Sequence, residues 1–164
     1  GVEQCLISCD DGVYRFTPPE SEEQDWTVEK LVDEAASDAV LVDLDQDGEK
    51  ELILISPFHG EHIYFYKKID GDYKKVYTYD TADFAHAIYG GTLLGKPAVI
   101  IGHRKGERNL LLFTWEQEKG QYQVEILDRD CGPANVFKYE RGTEEVLIST
   151  NREIDEVAMY TFEK

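Results

Sequence analysis

The chain has no apolar run near the roughly 18 residues that carry a helix across a bilayer, so no helical membrane span is expected. Its opening stretch, GVEQCLISCDD, lacks the basic start and apolar centre of a secretory leader and leaves export open. Basic residues are scarce, 17 Lys and Arg against 34 Asp and Glu, for a net charge of −17. Phosphate contacts need clustered cations, so neither nucleic acid nor an anionic membrane is an expected partner. Cysteine is rarer still. Cys5, Cys9 and Cys131 are odd in number and show neither zinc spacing nor a paired framework, which favours a reduced compartment such as the cytoplasm. Cys5 and Cys9 flank the apolar LIS and are expected as small packed thiols. No ten-residue window carries a helical period.

What the chain has instead is short runs of β-branched and aromatic residues separated by Gly, Asp and Pro, the pattern of an all-β fold. CLIS, LILIS, VIIG and VLIS place Leu6, Leu54, Ile100 and Leu147 at spacings of 48, 46 and 47. Each is followed by a second run: VYRF, IYFY, LLLFTW and AMYTF. Three copies add a third run (WTVEKLV, KKVYTYD, YQVEILD), and three carry a preceding one (AVLVDLD, AIYGGTL, NVFKYER). Four strands per unit at this period predict the four-stranded antiparallel blades of a β-propeller. The expectation is one domain of about four copies, near 1–37, 38–84, 85–133 and 134–164, the first and last incomplete. Such a chain is a compact four-bladed ring or an arc whose open ends are covered by a second copy, as a homodimer, or by further blades.

Between AVLV and LILI lies Asp43-Leu44-Asp45-Gln46-Asp47-Gly48-Glu49-Lys50-Glu51, a D-x-D-x-D-G-x-x-E run. Alternate carboxylates in a tight turn converge on one point, Gly48 permits the bend, and a hard cation wants several oxygens. Asp43, Asp45 and Asp47 are the candidate side-chain ligands, with a carbonyl near Glu49 and the carboxylate of Glu51 completing a structural calcium site. An EF-hand would need flanking helices and a Glu at the twelfth position, which here is Leu54. With this loop the chain resembles the FG-GAP or VCBS-type repeats of calcium-binding propellers. The resemblance implies calcium between the first two strands of a blade, and it covers the metal motif in one copy only: GGTLLGKPAV and KYERGTEEV keep Gly95 and Gly142 without the Asp ladder.

At the other end of the strands, Asp38, His86 and Asn135 stand at the start of three copies, spaced 48 and 49 apart. The loops SPFHGEHI, GHRKGERN and TNREIDEV are expected on the same face and bring His59, His62, His103, Arg104, Arg108, Asn151, Arg152 and Glu153. Imidazole and guanidinium on an acidic protein point to an anionic or carbohydrate-like small molecule, with Asp38, His59, His86, His103, Arg104, Asn135, Asn151 and Arg152 as the ligand-binding candidates. The leading expectation is therefore a calcium-stabilised binding module for a small molecule or glycan. A sugar lyase or dehydratase would use the same cluster, with His86 or His103 as base and Arg104 or Arg152 as charge neutraliser. A protein-interaction scaffold is the third reading.

Overall fold

The computed structural model describes residues 3–163. They form fourteen strands in four antiparallel sheets, and one 3-10 turn, Arg152–Ile154, is the sole helical piece among the described residues. The first sheet is β1 (Cys5–Cys9), β2 (Gly12–Thr17) and β3 (Thr27–Val32). The second is β4 (Asp38–Val42), β5 (Glu51–Ile55), β6 (Ile63–Ile69) and β7 (Asp72–Tyr79). The third is β8 (Ala85–Leu93), β9 (Lys96–His103), β10 (Leu110–Glu116) and β11 (Gln121–Asp128). The fourth is β12 (Pro133–Arg141), β13 (Glu144–Asn151) and β14 (Glu156–Glu163). Strands lie in chain order within every sheet, and every apolar run picked out in the sequence is a strand.

The sheets pack face on face because their central strands are apolar on both sides. All five residues of β5 are buried. Leu52 and Leu54 join Leu6, Val13 and Leu31 of the first sheet, while Ile53 and Ile55 join Val99, Ile101 and Phe113 of the third. Ile100 and Leu110 in turn meet Val136 and Leu147 of the fourth. First strands of successive sheets run side by side: β1 by β4, β4 by β8, β8 by β12. Gly90 permits one of these approaches, since a Cβ there would lie 2.7 Å from Val42 Cγ2. No comparable contact joins β1 to β12 among the described residues.

These packing faces correct the repeat read from sequence. Leu6 and Leu54 meet across one gap, and Ile100 and Leu147 across another, so the four do not point the same way round. A slip of one residue turns a strand over. The repeat that respects direction runs through Cys9, Ser56, His103 and Asn151, which end β1, β9 and β13 or, for Ser56, directly follow β5, at spacings of 47, 47 and 48. The same alternation puts Cys5 with Ile7 and Val28 on the outer face of the first sheet, where Cys5 is exposed rather than packed. Cys9 is half-buried beside Asp11, and Cys131 alone of the three free thiols is buried. Phe137, Val157 and Met159 are exposed on the outer face of the last sheet.

Each passage into a new sheet is clipped to the sheet before it. Ala36 donates to the Cys9 carbonyl (3.1 Å), Ala85 to that of Gly60 (3.2 Å), and Gly132 to that of Arg108 (2.9 Å). These clips hold the loops after β5 and β9 and the starts of β4, β8 and β12 at one end of the molecule. The loop of residues 43–50 lies at the other.

Candidate functional site

Residues 43–50 connect β4 to β5 and fold back on themselves through positive φ at Gln46 (60°) and Gly48 (95°). The side chains cap the turn they sit in: Asp43 Oδ2 accepts from the Gly48 N–H (3.1 Å), Asp45 Oδ1 from Asp47 (3.3 Å) and Asp47 Oδ1 from Glu49 (2.9 Å). Glu51 opens β5 and is fully buried; its Oε2 accepts from the Leu44 N–H at 2.7 Å. One carboxylate oxygen each from Asp43, Asp45 and Glu51 lies within 4.8 Å of the others. Asp43 Oδ1 and Glu51 Oε1 are buried and accept no hydrogen bond. Burial first, and the charge of Asp45 after it, push the Glu51 carboxyl up to about 7. Buried carboxylate oxygens without donors, converging with a third, suit a hard divalent cation with all-oxygen ligation. Asp43, Asp45 and Glu51 are the residues that would hold it, and the cation would supply positive charge where three carboxylates otherwise repel. Asp47 and Glu49 are exposed, and their outer oxygens reach Lys67 (3.3 Å) and Lys68 (4.0 Å) instead.

Three further residues border this cluster that the sequence reading did not single out. Lys67 of β6 places its ammonium against Asp45 Oδ2, with Asp47 Oδ2 at 3.3 Å and Glu51 Oε1 at 3.7 Å. Burial disfavours its charge, but Asp45 and Asp47 outweigh that and raise its pKa. From the third sheet, Gln117 donates to the Asp45 carbonyl at 2.6 Å. The Tyr122 hydroxyl of β11 is buried near Glu51 without hydrogen-bond geometry; burial raises its pKa, and the charges of Glu51, Asp45 and Asp47 add to the rise. The acidic loop of one sheet is thus seated against the neighbouring sheet.

At the opposite end, β8 pairs with β9 through Ala85↔His103 and then Ala87↔Gly102, so His86 is the extra residue of a β-bulge. Bulges re-aim side chains. This one turns the His86 ring onto His59, with centroids 4.6 Å apart and planes 18° from parallel, and Phe84 packs on His59 at 4.9 Å. His86 Nδ1 lies 2.7 Å from the carbonyl of Ala134, itself the extra residue of the bulge in β12. Burial, then the charges of His86 and Arg104, hold His59 below its usual pKa. Asp38, at the start of β4, is close enough to His86 to feel its charge; packing raises its carboxyl above the usual range. Arg104 lies over the Phe84 ring (5.0 Å) and gives two hydrogen bonds to Glu153 Oε1, at 2.9 and 2.6 Å.

Four of the eight ligand candidates, Asp38, His59, His86 and Arg104, therefore form one group across the second and third sheets. His103 and Asn151 serve their own loops. Buried His103 accepts the Asn109 N–H at Nε2 (3.0 Å), which leaves Nδ1–H to donate to the Lys105 carbonyl (2.9 Å). Asn151 donates to Glu156 (2.8 Å) and accepts from Ser149 (2.6 Å). Ser56, at the same place in the second sheet, accepts the His62 N–H at 3.2 Å. These are one structural device repeated: a polar side chain at a strand end closes the next loop. Asn135 and Arg152 are exposed, and His62 pairs with Asp80 at 3.2 Å. The chain matches no protein-family model and no curated protein.

Proposed function

We propose that this chain is a calcium-stabilised binding module in which the four sheets are blades of a β-propeller of FG-GAP or VCBS type. The observation that carries the calcium reading is the convergence of Asp43, Asp45 and Glu51, with two buried oxygens lacking any donor. Calorimetric titration with calcium, on wild type and Asp45→Asn, tests it. Saturable binding lost in the variant supports the site, and no heat in wild type overturns it.

The ligand face of this module is the group His59, His86, Phe84, Arg104 and Asp38. Two stacked imidazoles, a guanidinium and a ring suit an anionic or carbohydrate-like small molecule, which the acidic remainder of the surface would not attract. A thermal-shift panel of uronic acids, sugar phosphates, small carboxylates and neutral sugars, in excess calcium, finds the class. A shift that His86→Ala removes supports the assignment, and a flat panel moves the reading to a protein-interaction scaffold. The apolar outer faces of the first and last sheets are where a second copy or further blades would dock.

A further inference from the structure

The Lys67 ammonium lies against Asp45 and faces Glu51 at 3.7 Å, two of the three carboxylates that would hold a divalent cation, with exposed Asp47 on its other side at 3.3 Å. We infer that Lys67 is a tethered competitor of the metal: its ammonium neutralises the loop when no cation is bound and must leave when one binds. The inference rests on the calcium reading above and adds how that site is regulated.

Three observations support it. First, the lysine is placed for this role by β6 and not by chance of a mobile tip. It follows Tyr66 and buried Phe65 on a central strand, and its side chain is about three-quarters covered. Second, Glu51 Oε1 has no hydrogen-bond donor, and Lys67 at 3.7 Å is the positive charge facing it. An ammonium carries three donors and satisfies carboxylates as a point charge, which is the work a hard cation does with more charge and more ligands. Third, the ammonium already has a partner besides the carboxylates. The Trp115 ring of β10 has its centroid 5.5 Å from Lys67 Nζ, within the range of a cation–π contact. Metal entry then breaks the ion pairs while the ammonium keeps this ring contact, and Trp115 of the neighbouring sheet is placed to register the change.

Removing the competitor tightens calcium binding. Lys67→Met keeps the length of the chain and drops the charge, so its calcium Kd falls at least tenfold below wild type, while Lys67→Arg stays near wild type. Calcium binding by Lys67→Met where wild type shows none overturns the calcium reading of the natural loop but supports the competition, and makes lysine that loop's resident cation. An equal or weaker Kd in Lys67→Met beside a wild type that binds overturns the inference and leaves the calcium reading standing. No binding in either protein overturns both. Should Lys67→Met not fold, wild type with 13C-methylated lysines decides: the Lys67 resonance, assigned with Lys67→Arg, moves when calcium is added, and an unmoved resonance overturns the inference.

Discussion

The β4–β5 and β8–β9 connections do the same job in successive sheets and solve it in opposite ways. β8 turns into β9 on two residues, Leu94 and Gly95, both at positive φ (51° and 72°), as a type I′ hairpin requires. β4 reaches β5 through the eight residues 43–50, whose carboxylates gather on one point. The strands change with the turn. Glu51 is buried where its counterpart in the third sheet is Ala98, so a charged side chain sits at an otherwise apolar place. The short turn is self-sufficient, because backbone geometry and one glycine hold it. The long loop concentrates negative charge and needs a counter-charge, from Lys67 or a metal, to be a stable arrangement at all.

Exchanging the two is the strongest way to break the contrast. With residues 43–50 replaced by Leu-Gly, calcium should no longer raise the melting temperature. At a hundredfold excess over Kd, one site in wild type adds about 2.7 kcal/mol, or ~5–10 °C in a chain of this size; scanning calorimetry with calcium and with EDTA measures the loss. Glycine replacement sharpens the contrast at smaller scale. Gly95→Ala forces a side chain into left-handed backbone and should destabilise by about 1–2 kcal/mol with or without calcium. Gly48→Ala meets no atom within 4 Å but carries φ of 95°, so its cost should appear mainly in calcium, where the loop is held in shape. Equal losses for Gly48→Ala in calcium and in EDTA would show that the loop is rigid without metal.

The smallest expected effect belongs to the far end and serves as a control. His59 and His103 are both held below their usual 6.5, chiefly by burial. The unfolded chain therefore binds these protons at a higher pH than the folded one. Stability should be full above about 6.5 and be lost as pH falls toward the depressed values. In excess calcium, a melting temperature that is flat between pH 7 and 5 would contradict this.

How much of this was legible in the sequence follows from the range of the interactions. Every strand and the acidic loop could be read because period-2 apolar runs and an Asp ladder are local signals. Direction was not, since Leu6, Leu54, Ile100 and Leu147 look alike as letters while a one-residue offset decides which sheet each side chain meets. Lys67, Gln117 and Tyr122 were missed because distant chain brings them to the loop: strand pairing within the second sheet places Lys67, 22 residues from Asp45, and packing of the third sheet places Gln117, 72 residues away, and Tyr122. In the sequence His103 and Asn151 look like the rest of the ligand group, since polar loop residues announce composition, and only hydrogen-bond partners show that theirs are already engaged. The His86 bulge has no such signature: AHA reads as an ordinary strand start.

The outer faces of the first and last sheets carry one more consequence. One bears Cys5, Ile7 and Val28, the other Phe137, Val157 and Met159, so the stack is polar in the sense that an arrow is. A single kind of contact that covers both must join the head of one copy to the tail of the next. Contacts of that kind close into rings when the rotation per copy divides a full turn, and otherwise run on as helical filaments.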